Sequence, residues 1–485
     1  MKKYLAFAAI LIILATGLFL RLNDLGWETY GYGEVEKRDV IVSYFNGNFV
    51  NNFYLFDNPF LGKYFFYLSA VVFGLTEIGL RSISIIFGML TVFVVFIFTR
   101  KLYDTKTSML STSIVAFSIL QIQFSRYAEW EIWLSFFFVL IAYLLWETTH
   151  ENKRRAPWLL GLVLGTAFSI KFVSIIFLVA VIIYAIYIRH IKISIKPNFS
   201  ISINNWILKS IIIAILVFLA AWPFGFARLH TETNVSVDYG NAVRSQTVEA
   251  DIPIMLLSFS RRVFTSVGDS AEGVLAVPVF NYALLFIIKE SLLMIPLLAA
   301  GLFFMFRKPM KGDALVLIFL LTFLVLLSFQ RSSISYRHIV PVVPFFAVIA
   351  SRWITHVKRQ WLFISALSIV LFGYALLAGP SYALSFNPIK EAAGIPDSEF
   401  RFSEGMKETI GYLRENCDRT YASHFYRIMT EPYYESIHSE PPGDCVIKGN
   451  VNDRFDVDSY IAAENCTLAR TISKDSIKLV EIYSC

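Results

Sequence analysis

The sequence predicts an all-helical polytopic membrane protein that carries a small C-terminal α/β domain. Three observations lead there. Of the 485 residues 56% are hydrophobic and only 16% are charged, where a soluble chain runs nearer about 25%. Apolar runs recur from the N-terminus to residue 378, many of them close to the roughly 20 residues that a bilayer core asks of a helix. From residue 380 the composition changes to Pro, Asp, Glu, Ser and Arg, and all four cysteines lie there. A net charge of +6 sets topology in such a chain. No zinc-finger spacing, RNP-like box or basic helix with interleaved aromatics speaks for a nucleic-acid partner.

Met1-Lys2-Lys3 and the apolar run from Tyr4 to Leu20 read as an uncleaved first span, since no convincing small-x-small cleavage site precedes Arg21. Further spans are expected at 80–99, 106–124, 131–148, 157–170, 171–188, 206–222, 287–306, 315–329, 339–355 and 361–378. The stretch 157–188 is nearly continuous, and Lys171 is the one marker of its turn. About eleven spans put the termini on opposite sides. Lys2, Lys3, Arg100, Lys101, Lys153, Arg154, Arg155, Arg307, Lys308, Lys358 and Arg359 share one side, whereas the short loops opposite hold only Arg126, Lys171, Arg331 and Arg337. By the positive-inside rule the N-terminus is cytoplasmic. Residues 1–379 then form the membrane domain with outer loops 21–79 and 223–286, and 380–485 form an extracytoplasmic domain. Within the first loop, Glu34–Phe49 and Lys63–Leu75 read as helices lying in the interface.

In the tail, Cys417, Cys445, Cys466 and Cys485 are an even set outside the cell, which suggests two disulfides in any of three connectivities. A four-cysteine zinc site lacks a C-x₂-C pair, and four free thiols stay open as the other rival. The histidines show no metal spacing, so no metal site is assigned.

Acids and bases gather at the span ends of the outer face. Tyr-Gly-Tyr-Gly33-Glu34-Val-Glu36 follows the first span, and Asp57-Asn58-Pro-Phe-Leu-Gly-Lys63 comes later in the same loop. Ser125-Arg126-Tyr127-Ala-Glu129-Trp-Glu131, the isolated Lys171, Lys289-Glu290 and Tyr336-Arg337-His338 complete the set. Singly each has a plainer reading, such as a snorkelling helix end for Arg126 and Arg337 or a local ion pair for Lys289. Together, at one depth and on one face, they suit a reaction at the bilayer surface.

An acidic pair after the first span, an Asn-Pro run ending in Gly-Lys, Ser-Arg with an acid five residues beyond the Arg, a lone Lys between the fifth and sixth spans and Arg-x-x-x-Pro near the end form a recognisable order. Over residues 1–378 this resembles the protein O-mannosyltransferase and lipid A aminoarabinose transferase superfamily, GT-C-type glycosyltransferases that use polyprenyl-phosphate sugars. Two departures stand out. Gly33-Glu34 replaces the family's Asp-Glu pair, so the aspartate taken as catalytic base is absent, and Glu131 replaces the aspartate of the Ser-Arg motif. His338 stands where Tyr is usual.

The resemblance implies a GT-C-like bundle and an inverting transfer of sugar from a polyprenyl phosphate to a hydroxyl or amine on a protein, lipid or glycan. The acceptor must lose a proton as it attacks the anomeric carbon, and a carboxylate whose pKa is raised at a poorly solvated interface can take it. Glu34 is the expected base, with Glu131 as the second catalytic carboxylate. The leaving phosphate gains charge, so fixed cations stabilise the transition state; Lys63, Arg126, Lys171 and Arg337 are the expected donor-phosphate ligands. Asp57, Asn58, Tyr336 and Glu290 are expected around the substrate. No cofactor is assigned, and the chemistry leaves room for a divalent cation. No G-x-G-x-x-G follows a strand, which disfavours a nucleotide sugar. A transporter or flippase of polyprenyl-linked lipid, or a non-catalytic subunit, are the rival readings.

Overall fold

With no water to bind a peptide group inside a bilayer, an apolar run satisfies its backbone by becoming a helix. The computed structural model describes residues 2–26, 29–47, 58–194, 200–222, 233–238, 243–248, 278–328, 336–380, 382–389, 406–422, 437–438, 445–449, 461–462, 464–474 and 477–485, and helices dominate. α1 (Lys2–Leu22) leads into the short helices α2 (Tyr32–Phe45) and α3 (Leu61–Phe73). Then come α4 (Glu77–Leu102), α5 (Thr105–Phe117), α6 (Ile119–Ser125), α7 (Glu131–His150), α8 (Ala156–Ile170), α9 (Ile175–Tyr187) and α10 (Asn205–Ala221). After these follow α11 (Pro278–Lys289), α12 (Met294–Arg307), α13 (Lys311–Ser328), a 3₁₀ segment (Tyr336–Val342) that runs into α14 (Val343–Ser351), and α15 (Gln360–Ala378). Two hairpins, β1 (Ile191–Ser194) with β2 (Ser200–Ile203) and β3 (Thr233–Asp238) with β4 (Val243–Val248), interrupt the helices.

Helix starts are written locally. Thr76, Asp104, Ser118 and Asn204 each accept a backbone N–H of the following turn, at Gly79, Lys106 and Thr107, Gln121 and Trp206. Among the described residues five helical stretches are long and apolar enough to cross a bilayer, and α5 with α6 makes a sixth if their 55° bend at Ser118 is one span. Shorter apolar helices include α3, α8, α10 and α12. The turn expected in 157–188 falls at Lys171, which is extended between α8 and a 3₁₀ turn. The span expected at 287–306 is instead divided, since α11 ends at Lys289 and α12 begins at Met294. Lys289 and Glu290 are engaged in the gap, as described below.

Packing then fixes the helices against one another. Gly161 and Gly165 bring α8 against α10, where a Cβ would lie 2.5 Å from Ser210 O and 2.6 Å from Ala214 O. Trp133 of α7 lies with its ring centroid 4.6 Å from Phe66 of α3 and 5.1 Å from Phe87 of α4, so the short helix α3 is pinned to the bundle by aromatic contact.

The tail folds as α16 (Met406–Asn416) on a five-stranded sheet of β5 (Thr420–Ala422), β6 (Ile437–His438), β7 (Cys445–Gly449), β8 (Thr467–Lys474) and β9 (Ile477–Ser484), ordered β6-β5-β7-β9-β8. Met406, Ile410 and Leu413 recur at helical spacing and pack on Ala422, Ile447 and Ile482. Of the three connectivities the structure has Cys417–Cys445 and Cys466–Cys485. Removing one such bridge should cost the domain about 2–5 kcal/mol. Non-reducing mass spectrometry should return those two linked peptides and no alkylatable thiol; any other linkage would contradict the fold of this domain.

Candidate active site

Glu34 is the N3 residue of α2, and its Oε2 accepts the N–H of Gly31 at the N-cap at 2.8 Å. Arg81 of α4 holds the same carboxylate with both arms, Nε to Oε1 at 2.9 Å and Nη2 to Oε2 at 2.7 Å, and the Ala128 N–H donates to Oε1 at 2.7 Å. Arg81 also donates to the carbonyls of Leu25 at 3.0 Å and Thr29 at 2.8 Å. One buried ion pair therefore ties the segment after α1 to α4 and to the loop before α7. Burial pushes the Glu34 carboxyl up, but the Arg81 guanidinium and the two backbone N–H groups outweigh it and hold it below the usual range. The sequence reading asks for a raised carboxyl at the base, whereas this one is held low by its bonds.

Three other expected site residues are also spent on the scaffold. Arg126 donates to the carbonyls of Leu20 at 3.2 Å, Asp24 at 3.0 Å and Asn23, and so caps the end of α1. Glu290 accepts from Ser118 Oγ at 2.5 Å and from the N–H groups of Leu120 at 3.1 Å and Ile119 at 3.3 Å, which caps α6 at the bend. The Tyr336 hydroxyl accepts from Gln123 Nε2 at 3.0 Å and is buried. Its neighbour Lys289 donates to the carbonyls of Tyr382 and Ala383, docking the start of the tail. Asn58 is buried and accepts Lys63 Nζ at its carbonyl at 3.3 Å, while Asp57 lies outside the described residues.

What does come together is a cluster at the start of α7. Glu131 lies in the first turn of that helix, where the helix dipole favours an anion, and its Oε1 is 2.6 Å from Lys171 Nζ at the end of α8. Two residues earlier Glu129 pairs through Oε2 with Lys37 Nζ of α2 at 3.0 Å. The Arg337 guanidinium acts on both carboxylates. Burial pushes the Glu129 carboxyl above its ordinary range and the charge of Glu131 adds to this, against Lys37 and Arg337. Among the described residues Glu131 Oε2, Arg337 Nε and Trp130 Nε1 are buried and have no hydrogen-bond partner. A buried polar atom left unsatisfied costs about 1–3 kcal/mol, and each of these three has a hydrogen bond still to give or take. Arg337 and Trp130 would donate to an anion, and Glu131 would accept from a hydroxyl or amine. The sequence reading missed Lys37, Arg81 and Glu129. Of these only Glu129 carried a signal, a second acid inside the Ser125–Glu131 turn.

Residues 57–224 match the family of dolichyl-phosphate-mannose-protein mannosyltransferases. The structure is similar to ArnT from Cupriavidus metallidurans bound to undecaprenyl phosphate, with a TM-score of 0.55 and 12% identity over 99% of this chain and 97% of that one. It is also similar to the archaeal oligosaccharyltransferase AglB from Archaeoglobus fulgidus in complex with an inhibitory peptide and a dolichol phosphate, with a TM-score of 0.53 and 13% identity over 89% of this chain and 63% of that one. No curated protein matches by sequence. The chain is an integral membrane protein with the fold of GT-C-type polyprenyl-phosphate-sugar glycosyltransferases.

Proposed function

We propose that the protein transfers a sugar from a polyprenyl phosphate to a hydroxyl or amine of a protein, lipid or glycan acceptor at the outer face of the membrane, by a single inverting displacement. The observation that carries this reading is the cluster of unpartnered donors and acceptor around Glu131, Lys171 and Arg337. Arg337 and Lys171, with Lys63 at the entrance of α3, bind the lipid phosphate and stabilise the charge it gains on leaving. Glu131 holds Lys171 by one oxygen and orients the acceptor with the other. The bond from the anomeric carbon to the phosphate oxygen breaks, its electron pair leaves with the lipid, and the acceptor oxygen or nitrogen bonds to the carbon as its proton passes to a carboxylate. A flippase would bind the same phosphate without needing that carboxylate.

The test is purified protein incubated with radiolabelled polyprenyl-phosphate sugars. Label should leave the lipid for the acceptor. Lipid movement without loss of sugar favours the transporter. The topology has its own check. On the positive-inside rule the proposed orientation has the N-terminus inside, so protease added to intact cells should cut the tail beyond residue 380; a tail cleaved only after lysis would overturn the orientation.

A further inference from the structure

We infer that Glu129 is the catalytic base, seated in a notch that the missing side chain of Gly33 opens. The inference rests on the transfer reaction proposed above. Three buried carboxylates stand near the cluster, and two are committed elsewhere. Both oxygens of Glu34 are occupied by Arg81, Gly31 and Ala128. Glu131 is committed through Oε1 to Lys171 at 2.6 Å, in the first turn of α7. Glu129 differs. Only its Oε2 is held, by Lys37, and among the described residues none donates to its Oε1.

That free oxygen points at the backbone of α2. A Cβ built on Gly33 would lie 3.0 Å from Glu129 Oε1 and 3.6 Å from Lys37 Nζ. A Cβ at position 33 would therefore press on the carboxylate of Glu129 beside Lys37, which would have to give by a few tenths of an ångström. The chain has no side chain at 33, and the acid of the 126–130 loop fills the place instead. In the reaction Oε1 of Glu129 takes the proton of the acceptor hydroxyl or amine as that atom bonds to the anomeric carbon, and Lys37 keeps the carboxylate in place. Its raised proton affinity suits the role.

The experiment moves the carboxylate back. Full-length protein in lipid nanodiscs receives tritiated mannosyl-, glucosyl- and galactosyl-phosphopolyprenol with membrane proteins as acceptor, and binding of unlabelled dolichyl phosphate controls for folding. Glu129→Gln should transfer about a hundredfold to ten-thousandfold more slowly while binding dolichyl phosphate within about twofold of wild type. Glu129→Ala should be equally slow, and adding Gly33→Asp to it should recover at least about tenfold, because the new carboxylate enters the same notch. A merely structural partner of Lys37 would not restore turnover in this way. Glu129→Gln retaining more than about a tenth of wild-type transfer, or a double variant no faster than Glu129→Ala, overturns the assignment while leaving the transfer function standing. Wild-type protein that transfers none of the sugars overturns both.

Discussion

Arg81→Met should destabilise the protein by about 3–5 kcal/mol, the cost of leaving a buried charge without its partner. Arg81 and Glu34 are 2% and 1% exposed, and the guanidinium also serves the carbonyls of Leu25 and Thr29, so a single substitution strands an anion and two acceptors. Arg81→Lys should recover only part of the loss, because one ammonium cannot span both oxygens. Acid should act in the same direction. Since the Glu34 carboxyl is held below its ordinary range, its contribution is present above the unfolded value of about 4.3 and fades as pH falls through the lower folded value. Glu34→Gln should flatten that acid limb and lower the melting temperature of detergent-solubilised protein. An unchanged melting temperature in Arg81→Met would mean that the pair holds nothing together.

Combining Lys171→Ala with Arg337→Ala should lower turnover at limiting donor by more than about a hundredfold. Each charge-assisted hydrogen bond to a phosphate contributes roughly 1.5–3 kcal/mol, and two neighbouring ones need not add. Arg337→Lys should restore part of the activity, since a point charge remains but the planar fork is gone. Arg126→Ala offers the contrast: its guanidinium caps α1, so it should lower stability and leave the donor affinity of the remaining folded protein intact. Unchanged donor binding in the Lys171/Arg337 double variant would remove the phosphate site from this cluster.

Residues whose role is set by their own neighbourhood were legible in the sequence. The apolar runs become helices because lipid leaves the backbone no other partner, and Lys171 marks the turn between α8 and α9 because a lone cation would not lie within one continuous span. The four cysteines signal disulfides through their confinement to the tail, although their pairing depends on the sheet. Glu131 and Lys171, 40 positions apart, were both named, and the structure brings them to 2.6 Å. Less legible are contacts whose two partners lie far apart along the chain. Arg126 meets α1 over 100 positions away, and Glu290 meets Ser118 172 positions away. Nothing local tells an arginine that caps a helix from one that binds phosphate. The pairing of Glu34 was hidden for the same reason, since Arg81 lies in an apolar run that shows no sign of reaching back to α2. The notch at Gly33 was visible as an absence, and only the fold shows which side chain fills it.

The most direct measurement is NMR on polyprenyl-phosphate sugar labelled with ¹³C at the anomeric carbon, incubated with purified protein and acceptor. The labelled carbon should lose its coupling to phosphorus and reappear on the acceptor with the opposite anomeric configuration. A carbon that remains on the lipid while the protein binds it, or that reaches the acceptor with its configuration retained, would contradict a single displacement at this site.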